Sequence, residues 1–394
     1  MSKKLSIILI AIFSVFAAIW IWSFAAPKDY VILGGSTSVN TFMQRFTKTY
    51  HDDKDTDFIY NSTGSQAGVS GVEKEMYAGG FISKDISSST LSDGNEFAVL
   101  DNNPEFDENV VNENDKYEIE FEKENSQNFV NYMNLFKDEN KQNAKRKSYF
   151  AFEFAIDAIV LIYNPPTWFN NDLMNLKLKE EDKTTGKELA LIYAASNSTW
   201  ENLARMLGQE DVPNSSSRIS TFTRESGSGT RSAFSDLTGI KEMPSSSVVN
   251  SNGSMFENIK SSRGTFGFVS YAFVKQVTKE SGVKIAGVSD KKLGNPADED
   301  LFENPADWEH ALKWNGSEWV PDKTLTNDDF IKDKNGYELK RPFIGIFNSH
   351  NSDFVNIVEF FAYMMKSATK SENDFVDEGL VPVFKLLSNE GVLE

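Results

Sequence analysis

Three short loops hold the residues best suited to chemistry: Gly34-Gly35-Ser36-Thr37-Ser38, Asn61-Ser62-Thr63-Gly64-Ser65 and Thr223-Arg224-Glu225-Ser226-Gly227-Ser228-Gly229-Thr230. Each comes after a short apolar run and precedes residues at helical spacing, which predicts a loop at a helix amino end. Backbone N–H groups there lack intrahelical acceptors and carry the positive end of the helix dipole, so an anion is stabilised. Ser and Thr hydroxyls add donors, and Gly lets the backbone approach closely. Ser and Thr also cap helices where no ligand binds, so one such loop carries little weight. Three, one of them with Arg224, point to a site for a tetrahedral oxyanion, because a planar guanidinium donates to two oxygens at once. Asp157, and with it Asp85, could accept the proton of a monoprotonated phosphate. Fully deprotonated sulfate would leave that carboxylate facing another acceptor, a mismatch of about 1–3 kcal/mol or more.

Other chemistries find no matching pattern. The position two before Ser228 is Ser226, so no Gly-x-Ser-x-Gly nucleophile elbow is present, and Gly64 to Gly71 lacks the lysine of a nucleotide-binding phosphate loop. The 3 histidines, His51, His310 and His350, have no metal-ligand spacing, and the absence of cysteine removes disulfides, thiolate metal sites and thiol nucleophiles. No catalytic residue, metal or cofactor is expected. A formal net charge of −18 over 394 residues argues against nucleic-acid partners, whose binding draws on Lys and Arg releasing counterions.

The elements that must position the loops form one repeated pattern. Residues 30–33 read as a strand, after which Val39, Phe42, Met43, Phe46 and Tyr50 mark a helix with one buried stripe. Residues 58–60 lead similarly into Val69, Val72 and Met76, and residues 219–222 into Ala233, Phe234 and Leu237. Strand, polar loop and helix three times over imply an α/β fold with a mainly parallel sheet and a ligand crevice at the strand carboxyl ends. Residues 150–165 form a long apolar stretch containing Glu153 and Asp157, read as a strand crossing the core. Between Asp93 and Glu139 there are 14 acids against 3 lysines and no sustained period, which reads as a solvated surface insertion. Phe354, Ile357, Val358, Phe361 and Met364 predict a closing amphipathic helix.

At the amino end, Lys3 and Lys4 precede an uncharged apolar run over residues 5–26. At about 1.5 Å per residue a helix there would reach across a hydrocarbon layer of about 30 Å, with the lysines inside and the rest of the chain outside. Trp20 and Trp22 suit an interfacial belt. Ser23-Phe24-Ala25 also suits signal cleavage, and either reading exports the remainder of the chain.

The ordered segments Gly35-Ser36-Thr37-Ser38-Val39, Ser62-Thr63-Gly64-Ser65-Gln66-Ala67-Gly68, Phe81-Ile82-Ser83-Lys84-Asp85, Ala155-Ile156-Asp157-Ala158-Ile159-Val160, Arg224-Glu225-Ser226-Gly227-Ser228-Gly229-Thr230-Arg231 and Gly264-Thr265-Phe266-Gly267-Phe268-Val269 resemble the substrate-binding component of phosphate ABC transporters. Tyr337 to Phe343 and Gly379 to Val383 resemble that family's closing segments. The resemblance implies a two-lobed periplasmic-binding-protein-like fold of type II, each lobe a mainly parallel sheet flanked by helices. It implies an anchor or signal in residues 1–29, a first lobe from 30–155 (acidic insertion at about 92–148) and 338–394, and a second lobe from 156–337.

By the same resemblance the protein is a non-catalytic, monomeric receptor on the outer face of the membrane. It would capture inorganic phosphate between the lobes and deliver it to ABC permease subunits. Its ligand residues fall on Thr37, Ser38, Ser65, Ser83, Arg224, Ser228, Gly229 and Thr230, with Asp85 or Asp157 as proton acceptor. Members are often lipoproteins held by a Cys; its absence here points to the amino-terminal helix as the anchor. Alternatives are a binder of sulfate or molybdate, an extracellular phosphoester hydrolase, and a surface adhesin on the same fold.

Overall fold

The computed structural model describes residues 30–54, 56–100, 111–113, 116–137, 148–226 and 228–388. The expected amino-terminal anchor, parts of the acidic insertion and Gly227 lie outside the described residues. Among the described residues no helix is long and apolar enough to cross a membrane.

The amino-terminal half-sheet is built from β1 (Val31–Gly35), α1 (Asn40–Lys54), β2 (Phe58–Ser62), α2 (Ser65–Glu73) and β3 (Gly79–Ile82). β1 pairs in parallel with both β2 and β3, the helices serving as crossovers. α1 forms where expected, burying Phe42, Met43, Phe46, Thr47 and Tyr50 along one stripe. The chain then runs through β4 (Tyr149–Asn164), a 16-residue strand rich in aromatic and β-branched residues that is buried nearly throughout. Beyond it come β5 (Ser220–Arg224), α3 (Gly229–Thr238), β6 (Ser247–Val249), α4 (Asn252–Ser261) and β7 (Thr265–Ser270). The return path is β8 (Lys340–Asn348), α5 (Phe354–Ser367) and β9 (Leu380–Ser388).

The main sheet has the order β2-β1-β3-β8-β4-β7-β5-β6. Its flanks are parallel, as the repeated pattern implies, but β8 is antiparallel to β3 and β4, and β7 and β9 are antiparallel to β4. The reversal comes from the chain path. β4 carries the chain out of one hydrophobic core and β8 brings it back alongside, so the two strands run in opposite directions.

The two cores divide within β4. Phe150, Phe152, Phe154 and Ala155 pack with the apolar faces of α1 and α5, whereas Ile156 and Ala158 to Tyr163 pack with Trp200, Phe234, Phe266 and Phe268. In the first core Phe361 is the hub, its ring centroid 4.8 Å from Phe152 and 5.5 Å from Phe347. In the second, Phe234 stacks on Phe268 at 4.4 Å and Trp200 meets Phe169 edge-on at 5.0 Å.

Two polar stretches are more ordered than their composition implies. Within the acidic insertion, the strand Lys116–Glu120 pairs antiparallel with β9, and the helix Ser126–Asn134 buries Phe129, Tyr132 and Met133 in the first core. The reading of that segment as a solvated insertion is therefore corrected for residues 116–134. Strands within residues 287–326, together with Asn175–Leu176, form a separate five-stranded sheet in which the rings of Trp314 and Trp319 lie 5.3 Å apart.

Phe361→Ala should destabilise the protein by about 3–5 kcal/mol, since it removes a fully buried ring from a close-packed aromatic cluster; the urea midpoint of the chain from Tyr30 onward measures this. A pH effect is expected from Glu153 on β4, opposite Lys385 of β9. Burial pushes its carboxyl from 4.5 up to about 7, with Lys385 pulling it down and Asp85 and Glu118 pushing it up. The folded state thus holds this proton more tightly than the unfolded chain. This contribution to stability is greatest below the unfolded value and falls as pH rises from about 4.5 to about 7. Glu153→Gln should flatten that fall, seen by comparing denaturation midpoints at the two ends of the range.

Candidate functional site

Where the two cores meet, Asp157 of β4 lies opposite Arg341 of β8 and Leu380 of β9. Arg341 donates from Nε (3.1 Å) and Nη2 (2.9 Å) to the same Asp157 oxygen, Oδ2. Its Nη1 donates to Ser38 Oγ at 2.9 Å and its Nη2 to the Gly229 carbonyl at 3.0 Å. Phe343 lies under the guanidinium, 5.4 Å from its ring centroid. The Arg341 and Asp157 side chains are only 6% and 9% exposed, and burial of two such charges is tolerable because each has its opposite and the guanidinium makes four hydrogen bonds, one Nη1–H remaining.

The first loop is braced from below. Ser36 N–H donates to the Phe81 carbonyl at 2.8 Å, Ser36 Oγ to Ser83 Oγ at 2.9 Å, and Tyr60 O–H to the Ser36 carbonyl at 2.7 Å. Gly35 has φ +143°, and a Cβ there would stand 2.1 Å from the Phe81 carbonyl oxygen, so only glycine lets the loop leave the sheet this closely. Thr37 and Ser38 are thereby presented at the crossing point of the strands.

The third loop leaves β5 at Arg224 and enters α3 through Ser228, whose Oγ accepts from Arg231 N–H at 3.4 Å. As an acceptor in the cap, Ser228 keeps its own O–H as a donor. Arg224 is held by several partners: Nε and Nη2 donate to the two oxygens of Glu225, each at 3.0 Å, and Nη1 to Asn252 Oδ1 at 3.0 Å. The hydrogen bond from Arg224 keeps the Glu225 carboxyl below its ordinary range. Two ten-residue helices, α3 and α4, begin beside this loop.

These groups enclose a cavity of about 310 Å³ lined by Thr37, Ser38, Asp157, Arg224, Glu225, Ser228, Gly229, Thr230, Asn252, Arg341 and Glu378, among others. Seven of the expected site residues are brought together there: Thr37, Ser38, Asp157, Arg224, Ser228, Gly229 and Thr230. Ser65, Ser83 and Asp85 are not among its lining residues. Ser65 opens α2, Ser83 supports Ser36 from behind, and Asp85 is exposed. Arg341, Glu225, Asn252 and Glu378 enter the cavity without having been assigned to it. The sequence offered no usable signal for Arg341, which follows Lys340 at the head of the apolar run Pro342 to Phe347 as any strand-end cation would.

The walls nearly touch at one point. A Cβ on Gly229 would stand 2.6 Å from Ser38 Cα, so the start of α3 rests directly on the first loop. A larger groove of about 820 Å³ between α1 and α5 has exposed Lys54, Lys366 and Lys370 alongside Asp53 and Glu359. Among the described residues no group of His, Asp and Glu could hold a metal ion.

Residues 129–309 match the model of the PBP superfamily domain. No curated protein matches the chain. Among solved structures, an ABC-type phosphate transport receptor from Vibrio cholerae is 19% identical, with 89% of this chain and 99% of that chain covered and a TM-score of 0.51. A structure from Planctomyces limnophilus described as "a possible phosphate binding protein" is 14% identical, with 91% of this chain and 94% of that chain covered and a TM-score of 0.54. The chain thus shares the mixed α/β fold of these structures, and the match to the PBP superfamily domain spans residues 129–309.

Proposed function

We propose that this protein is an extracytoplasmic receptor that captures inorganic phosphate between its lobes and passes it to an ABC permease, without chemical turnover. The observation that carries this reading is the convergence of Arg224, Arg341, hydroxyls of Thr37, Ser38, Ser228 and Thr230, and the amino end of α3 on one small cavity at the crossing strands. Such a site gives a tetrahedral oxyanion donors on every side, the condition under which a buried ion is tolerated. Asp157 belongs to the same cavity and supplies an acceptor, which suits an ion carrying a proton and disfavours sulfate. The likeness in fold to a structure described as a phosphate transport receptor supports the same reading.

In this reading the phosphate ligands are Thr37, Ser38, Asp157, Arg224, Ser228, Gly229 and Thr230, joined by Arg341. Ser83 acts from behind by bracing Ser36 of the first loop, while Ser65 and Asp85 stand outside the cavity lining. The lobes, 30–155 with 338–394 and 156–337, close on the ion, and the permease reads the closed form. Residues 1–29 tether a monomer to the membrane.

Isothermal titration of the chain from Tyr30 onward should give heat with phosphate and much less with sulfate; no heat with phosphate would sink the proposal. Arg224→Ala should weaken phosphate binding about 10–100-fold, the loss expected for hydrogen bonds to a charged group, while the thermal unfolding midpoint moves little. Gly229→Val should push the start of α3 off Ser38. The variant is expected to bind phosphate more weakly and to remain larger by X-ray scattering in the presence of phosphate than the wild type; unchanged values for both would show that the contact is not part of closure.

A further inference from the structure

Each arginine of the cavity is already matched by a carboxylate in the same cavity. Arg224 lies against both oxygens of Glu225 at 3.0 Å, and Arg341 against Asp157 at 2.9 Å. Glu378 adds a third carboxylate to the lining. Its partner Arg45, at 3.3 Å on α1, is shared with Asp374 at 3.2 Å and Asp377 at 2.7 Å. Arg231 is the other nearby cation, and its Nη1 donates to the Arg224 carbonyl at 3.0 Å. The amino ends of α3 and α4 together contribute about one positive charge. The charged side chains and the two dipoles therefore nearly cancel, and no surplus positive charge is available to neutralise a doubly charged ion. A dehydrated dianion in such a site retains an unmatched charge, which is strongly unfavourable.

The hydrogen-bonding inventory points the same way. Singly charged dihydrogen phosphate has two P–O–H donors, and two of the cavity's three carboxylates, Asp157 and Glu225, stand beside its arginines as acceptors, the third, Glu378, being paired with Arg45. Only Oδ2 of Asp157 is taken by Arg341, and each oxygen of Glu225 receives one hydrogen bond from Arg224, so lone pairs remain on both groups. A doubly charged phosphate could satisfy one acceptor, and sulfate neither.

Resting on the phosphate-receptor reading, we propose that the cleft binds the singly charged, doubly protonated form of phosphate, and that Glu225 is the residue that sets this choice, Asp157 accepting the second proton. Glu225 stays ionised because Arg224 holds it so. Selection then comes from the charge and proton count of the ligand.

Titrating the chain from Tyr30 onward with inorganic phosphate across about pH 5.5 to 8.5 tests this. If only the singly charged form binds, affinity for total phosphate should fall about tenfold for each unit of pH above neutrality, and about one proton should be taken up per phosphate bound at the alkaline end. Proton uptake is read from titrations in buffers of different ionisation enthalpy. The phosphorus NMR shift of the bound ion should stay at the position of the singly charged form throughout. Glu225→Gln should remove the proton uptake and bring sulfate and phosphate affinities closer together, while Glu225→Asp should restore both. Strong phosphate binding with a flat pH profile and no proton exchange overturns the proposal and leaves the receptor reading intact. No phosphate binding at any pH overturns both.

Discussion

The ion pair between Arg341 and Asp157 sits at the boundary between the two hydrophobic cores, on the strands that carry the chain across it and back. One guanidinium holds the carboxylate of β4, the hydroxyl of Ser38 from the first half of the fold and the Gly229 carbonyl from the second. Had either charge been left unpaired at under a tenth exposure, the loss would be on the order of 3–5 kcal/mol. The pair therefore confines the crossing strands to a register in which Arg341 and Asp157 face each other, and that register places both walls of the cavity.

Around this point the sheet changes character. On either flank, parallel strands joined by helices bring loop after loop to the same edge, which is how β1 and β5 come to present Ser38 and Arg224 to one cavity. In the centre, β4 and β8 run against each other because a strand that leaves a core and one that returns must do so. An entirely parallel sheet would contain no such return, and it would leave the two cores joined by a single strand. Two adjacent antiparallel crossings make the junction stiff in the plane of the sheet, so a closing motion would bend the pair out of that plane.

The loops were legible from the sequence because local rules make them so: Gly at a turn with positive φ, Ser at a helix cap, and hydroxyls clustered between an apolar run and an amphipathic one. The role of Arg341 was not, since its significance depends on a partner 184 positions away. No local pattern in Lys340 to Phe343 distinguishes a cavity arginine from a strand-end one. Residues 116–134 were misread for a related reason. Glu118 and Glu120 flank the buried Ile119 in a two-residue alternation too short to stand out among so many acids, and the helix after it buries aromatics that composition alone treats as solvated. For Ser83 the residue type was suited to a ligand loop, but its hydroxyl is turned to Ser36, a direction set by the pairing of β1 with β3.

The formal charge of −18 and an anion site are compatible because they act at different ranges. Exposed carboxylates beyond about 8–10 Å are screened by salt, whereas donors at about 3 Å from a bound ion are not. Within the cavity, however, the acids cannot be dismissed in that way: Glu225 and Asp157 are in contact with the arginines that would hold the ion. Their presence lowers the affinity for a bare dianion that two free arginines would have had. It also fixes both guanidinium planes before any ligand arrives, so less side-chain freedom is lost on binding. A cavity whose charges nearly cancel would therefore suit discrimination more than strength, disfavouring an oxyanion that brings charge without protons.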